Sequence, residues 1–287
     1  MLYLMLSILC SVSVGVIFKI AGKNARRSTQ LILCNYVVAL LLCYLFFEPE
    51  TNVAYLQDHW ALYGALMVLL PSIFLFLAAS VKHVGIVKTD AAQRLSLFIP
   101  ILAAWLIFRE AFNGWKILGL AVGFPALLLI LSKKGEAGKS GRDWLYPAVV
   151  LLGFGIVDTL FKQVALLQKP GYTTSLFIIF AGALVVTFAV TVYEAVFQRK
   201  KIEPINFAYG LLIGIFNFGN ILFYLKAHKA FAENPSTVFA SMNMGVIVLG
   251  SLTGVFLFKE KLTFKNYIGI VLALLAIIFI TLSQIFK

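Results

Sequence analysis

The sequence predicts an all-α membrane protein: ten transmembrane helices arranged as two inverted five-helix repeats (5+5). An apolar excess, ten long apolar runs and a self-match between the two halves of the chain carry that expectation. Of 287 residues, 61% are hydrophobic and 13% charged, whereas soluble domains run near half apolar and a quarter charged. A helical span takes about 20 mostly apolar residues, so ten spans leave no room for a separate soluble domain of ordinary size. The formal net charge of +12 would point to nucleic acid in a soluble protein. Here Lys and Arg gather at span ends and in short loops, so membrane topology and anionic lipid headgroups explain it, and no nucleic-acid partner is expected.

The spans fall at 2–22, 29–47, 60–81, 88–108, 113–132, 143–167, 172–197, 205–229, 233–258 and 264–285. Span one has no Lys or Arg ahead of its apolar run and no small-residue cleavage site, so it reads as a retained helix and not as a signal peptide. Cys10, Cys34 and Cys43 all lie inside apolar runs with no paired spacing, and read as small core residues. The runs are long and show no alternation of period two, which favours helices over a barrel. Pro71, Pro100 and Pro125 interrupt spans three, four and five and can kink them. Gly119-x-x-x-Gly123, Gly210-x-x-x-Gly214 and Gly250-x-x-x-Gly254 allow close helix approach, within the chain or in a homodimer. Trp105 and Trp115 read as interface anchors.

The polar stretch KKGEAGKSGR at 133–142 reads as a linker between repeats at 1–132 and 143–287. A shift of 150 residues lays Phe108-Arg109-Glu110 on Phe258-Lys259-Glu260, Gly119 on Gly269 and Gln93 on Asn243. A shift of 143 lays Phe18-Lys19 on Phe161-Lys162. With an odd number of spans per repeat, the second copy must enter the membrane from the opposite side. Inverted repeats of this kind recur among secondary transporters, with the substrate bound near the midplane.

Ten spans, the lysines of FKIAGK and FKQVAL near the ends of spans one and six, and the FRE…G and FKE…G signatures resemble the drug/metabolite transporter superfamily, in its EamA-like family. The resemblance covers essentially the whole chain. It implies a secondary transporter of small metabolites that works by alternating access, without an ATPase, its cavity lined by spans one, three, four, six, eight and nine. The chain departs from many members in carrying Asn35-Tyr36 early in span two in place of Arg.

Ionisable groups inside spans are costly and mark functional faces. Asp90 and Arg94 in span four, and Asp158 and Lys162 in span six, are each spaced i, i+4. Each pair can neutralise itself on one helix face, or the faces can line a wet cavity. On the second reading Arg94, Gln93, Asn217, Asn220, Asn243 and Lys162 bind the substrate. Arg94 would anchor a carboxylate or phosphate with its planar fork, so the expected substrate is a zwitterionic or anionic small metabolite such as an amino acid. Asp158 is the candidate proton carrier, since a carboxyl in an apolar setting can exchange a proton near neutral pH. Glu110 and Glu260, beside Arg109 and Lys259, read as solvated pairs or helix-end caps.

His59, His83 and His228 lie far apart, and the chain carries no nucleophile elbow, P-loop or dinucleotide-binding pattern. No enzyme, metal or cofactor is expected. A membrane-embedded enzyme or lipid-handling protein without a familiar motif is the alternative. Of the 24 Lys and Arg, Lys19, Arg94 and Lys162 are deep, six (Arg109, Lys116, Lys169, Lys226, Lys229, Lys287) lie on one side and the remaining fifteen on the other. The charge bias places both termini outside, the resemblance places both in the cytoplasm, and the membrane expected is a bacterial inner membrane.

Overall fold

The computed structural model describes residues 1–24, 28–49, 57–84, 86–131, 145–169, 171–199, 201–259 and 263–285. The predicted linker at 133–142 and the side chains of Asp90 and Glu260 fall outside them. The described chain is helical: α1 Leu2–Asn24, α2 Ser28–Phe47, α3 Trp60–Val84, α4 Ile86–Leu95, α5 Phe98–Leu106, α6 Gly114–Leu131, α7 Leu145–Leu166, α8 Tyr172–Val196, α9 Pro204–Ala230, α10 Pro235–Phe258 and α11 Phe264–Ile285. Among the described residues, eight helices are long and apolar enough to cross a membrane, while the apolar parts of spans four and five are shorter. Their outer faces carry large exposed side chains such as Leu45, Val185, Phe256 and Val271, as lipid-facing surface requires. The protein is an integral, multi-pass membrane protein.

Span four is two half-helices and not one. Pro100 has no N–H and its ring crowds the carbonyl four residues earlier, so it sits readily in the first turn of a helix and weakens the ladder just ahead of it. The ladder gives way at Ser96 and Leu97: the Leu97 amide donates to Arg94 O at 3.3 Å, the Ile99 amide to Ser96 O at 3.0 Å, and the Ser96 hydroxyl to Gln93 O at 2.6 Å. Pro71 and Pro125, by contrast, stay inside unbroken helices.

The two halves of the chain interleave. Helix α6 lies along α11, α1 along α9 and α10, α2 along α8 and α9, and α3 along α7 and α8. Glycine permits the closest of these approaches. A methyl group added at Gly214 would stand 2.6 Å from Val38 Cβ and 3.0 Å from Asn35 O, and one at Gly119 would stand 3.1 Å from Ala276 O. The Gly119 and Gly210 motifs therefore pack within the chain, while Gly250 meets nothing within 4 Å. Gly214→Ala should destabilise the protein by about 1–3 kcal/mol, because two backbones must separate. Thermal unfolding in detergent checks this, and an unchanged midpoint would mean that the α2–α9 contact is loose.

Four described residues other than glycine take positive φ: Glu48 (41°), Arg109 (50°), Arg199 (50°) and Lys259 (53°). They follow the ends of spans two, four, seven and nine, at offsets of 151 and 150 residues.

Candidate functional site

Midway along the helices lies a cavity of about 770 Å³ of empty space, part of it open to solvent. Its lining comes from α1, α3, α4 and the break after it, α7, α9 and α10. These are spans one, three, four, six, eight and nine, the set the resemblance implies. The polar wall consists of Ser11, Gln93, Arg94, Ser96, Asp158, Asn217, Asn220, Tyr224 and Asn243, and the apolar wall includes Ile73, Phe74, Phe154, Phe161 and Met242.

Each helix delivers its residues for a local reason. The break at Ser96 ends α4 in mid-span and leaves Arg94 in its last turn, where a cation complements the negative end of the helix dipole. On α9, Asn217 and Asn220 sit one turn apart and are held from behind. The Asn217 amide donates to Asn35 Oδ1 of α2 at 3.1 Å, and the Ser7 hydroxyl of α1 donates to Asn220 Oδ1 at 2.9 Å. Asn243 Nδ2 donates to Phe239 O at 3.1 Å, one turn back on α10. On the far wall the Tyr224 hydroxyl donates to Asp158 Oδ1 at 3.2 Å.

Five of the six residues expected to bind substrate therefore surround one cavity, as does Asp158. Lys162 does not. It is fully buried one turn beyond Asp158, where Nζ donates to Ala232 O at 2.7 Å and His228 O at 3.4 Å. The ammonium thus satisfies carbonyls left over at the end of α9. It does not neutralise Asp158 along the helix, because the Asp158 carboxylate bonds Tyr224 instead.

Of the two readings of Glu110, the solvated pair with Arg109 fails and the helix-end cap holds, on a helix from the other half of the chain that the sequence does not indicate. Glu110 is 4% exposed, forms a salt bridge with Lys116, and accepts the Ser236 amide at 2.9 Å and the Ser236 hydroxyl at 2.7 Å. It therefore caps the first turn of α10 from a different part of the chain. Lys116, 2% exposed, also donates to Asn234 Oδ1 at 3.1 Å. The left-handed turn at Arg109 carries the chain around just ahead of Glu110. Beside this cluster, His228 is buried between the rings of Tyr224 and Phe239, and neither ring nitrogen has a hydrogen-bond partner.

Comparison with known proteins places these features. The EamA-like transporter family matches residues 144–282. An uncharacterized protein of Haemophilus influenzae is 42% identical over 284 residues, covering 96% of this chain and 95% of the relative. A protein of known crystal structure superposes with a TM-score of 0.75 at 13% identity, over 100% of this chain and 98% of that one; at that identity the likeness concerns the fold.

Proposed function

Because this chain belongs to the EamA-like transporter family of the drug/metabolite transporter superfamily, whose members are transporters rather than enzymes, we propose that it is a secondary transporter working by alternating access. Its substrate is a small polar metabolite, amino-acid-like and zwitterionic or anionic, and its membrane is a bacterial inner membrane. The observation that carries this reading is the mid-span cavity in which Arg94, Asp158 and four amides converge. Polar groups at this depth are costly unless they meet water, one another or a ligand. Arg94 takes the substrate's carboxylate or phosphate, and Gln93, Asn217, Asn220 and Asn243 hold its neutral polar edges. Asp158 is the proton-coupling group, reached through Tyr224. The paired left-handed residues at span ends support an inverted 5+5 repeat, the architecture in which two halves rock about a central site.

A melting screen of the purified protein against amino acids, amines, organic acids and sugars tests the substrate class. Ligand at 100 times its Kd adds about 2.7 kcal/mol of stability by mass action. Amino acids or related anions should raise the midpoint, and a response confined to amines or neutral sugars would refute the anion-binding role.

A further inference from the structure

We propose that the cavity is polarised between the two halves of the chain, and that Asp158 and Asn243 form the subsite for a primary ammonium on the substrate while Arg94 holds its carboxylate. The inference rests on the transport reading above. It fixes which way round the substrate lies, and narrows Asn243 from any polar edge to the N–H groups of an ammonium. Among the described wall residues the charged ones are Arg94 and Asp158, and the internal match sets each against an uncharged counterpart. The shift of 150 that lays Gln93 on Asn243 lays Arg94 on Met244, and the shift of 143 that lays Phe18 on Phe161 lays Gly15 on Asp158. The first half therefore supplies the cation of the wall and the second half its anion. A substrate carrying both charges has one orientation across the halves in which each meets its opposite.

The wall groups are not free to turn to suit any ligand, because their other ends are committed. A backbone carbonyl only accepts, so the 3.1 Å contact between Asn243 and Phe239 O holds Nδ2 on that side. Oδ1, an acceptor, is the end left for the cavity that Asn243 lines. The Tyr224 hydroxyl occupies Asp158 Oδ1 at 3.2 Å, which leaves Oδ2, again an acceptor. Asn220 is turned the other way. Ser7 holds it by Oδ1 at 2.9 Å, so it presents N–H groups, which suit a carboxylate and not an ammonium.

Asp158 and Asn243 also stand at one depth. Helices α9 and α10 run in opposite directions from the turn at 231–234, and the rings of His228 and Phe239 meet across them at 4.7 Å. Tyr224 lies four residues further from the turn than His228, and Asn243 four residues further than Phe239, about 6 Å each at 1.5 Å per residue. A second tie agrees with this register: Ser7 Oγ lies 2.9 Å from Asn220 Oδ1 on α9 and 3.5 Å from Met242 Sδ on α10. Asn243 is therefore level with Tyr224, whose hydroxyl holds Asp158. Two acceptors of the second half thus face one stretch of a cavity whose remaining wall is largely apolar. Such oxygens cost free energy unless a donor meets them. A primary ammonium brings three N–H donors and a charge opposite to that of Asp158.

The test measures binding to the purified protein of the common L-amino acids, each beside the 2-hydroxy acid of the same side chain and the N,N,N-trimethyl derivative. The hydroxy acid keeps the carboxylate and loses the positive charge, while the trimethyl form keeps both charges and loses every N–H. The amino acids that bind should be favoured over both analogues by about ten- to a hundredfold in Kd, the worth of a hydrogen bond to a charged group. Asn243→Leu, close in volume and unable to accept, should shrink the preference over the trimethyl form by about tenfold. Asp158→Asn should shrink the preference over the hydroxy acid by a similar factor. A merely structural role would weaken all three ligands together and leave these ratios alone, so a ratio that moves less than about twofold in either variant overturns the assignment. If Asn243→Leu does not fold, Asn243→Asp keeps an acceptor and must hold or raise the preference for the amino acid; a fall overturns the assignment equally. Hydroxy acids that bind the parent as well as amino acids do would remove the ammonium subsite and leave the carboxylate reading standing, whereas no binding by any amino or hydroxy acid removes both.

Discussion

Glu110→Ala should destabilise the protein by about 3–5 kcal/mol, the cost of breaking a buried pair and leaving its partner charge behind. The carboxylate joins three groups that otherwise lack one another: the Lys116 ammonium, the Ser236 amide and the Ser236 hydroxyl. With it gone, Lys116 keeps only the carbonyl oxygen of Asn234 as a side-chain partner and the distant face of Phe112, 5.5 Å away. The first turn of α10 also loses its cap, worth about 1 kcal/mol. Equilibrium unfolding in mixed detergent measures the loss. The second substitution Lys116→Met should restore a substantial part, because it removes the stranded charge, while the uncapped amide stays uncapped. A single variant within about 0.5 kcal/mol of the parent would mean that water reaches this cluster.

Why the burial and the partners of this cluster were not legible in the sequence, while the cavity was, follows from what each type of residue costs. An amide or a charge in the middle of an apolar run has no cheap explanation, so Gln93, Arg94, Asp158, Asn217, Asn220 and Asn243 stood out, and the helices bring all of them to one wall or another of the same space. A charge beside a span end has a cheap explanation, interfacial water, and Glu110 and Lys116 carry that appearance. Only the tertiary turn at Arg109, which brings residues 110 and 116 against residues 234–236, withdraws them from water. Lys162 was misplaced for a related reason. Spacing of i, i+4 puts it on the same face as Asp158, but a long side chain reaches a full turn further, and helix ends offer unsatisfied carbonyls. The break in span four was half legible. Three prolines gave the same signal, yet a break falls only ahead of Pro100, between α4 and α5, while α3 and α6 continue through Pro71 and Pro125. The residues behind the cavity, Ser7 and Asn35, give no signal until a partner 213 or 182 positions away is known.

Replacing Arg94 with Gln should weaken substrate binding by about 1.5–3 kcal/mol, the worth of a hydrogen bond to a charged group, or roughly ten- to a hundredfold in Kd. Gln keeps much of the length and one planar polar end, so the loss reports the charge and the bidentate fork and not the volume. Arg94 also has a structural alternative, since it stands in the last turn of α4, where a cation steadies the helix end, with Asp90 one turn before it. Two readouts separate the roles. A binding role raises the Kd of whichever ligand the melting screen returns and leaves the midpoint of the empty protein in place. A helix-end role lowers that midpoint and leaves the Kd of the folded fraction alone. Neutral analogues of the ligand lacking its carboxylate or phosphate sharpen the comparison: the parent should prefer the anion by the same tenfold or more, and Arg94→Gln should bind both forms alike. Equal affinity of the parent for both forms would remove Arg94 from the site, and with it the reading of the cavity as a place for anions.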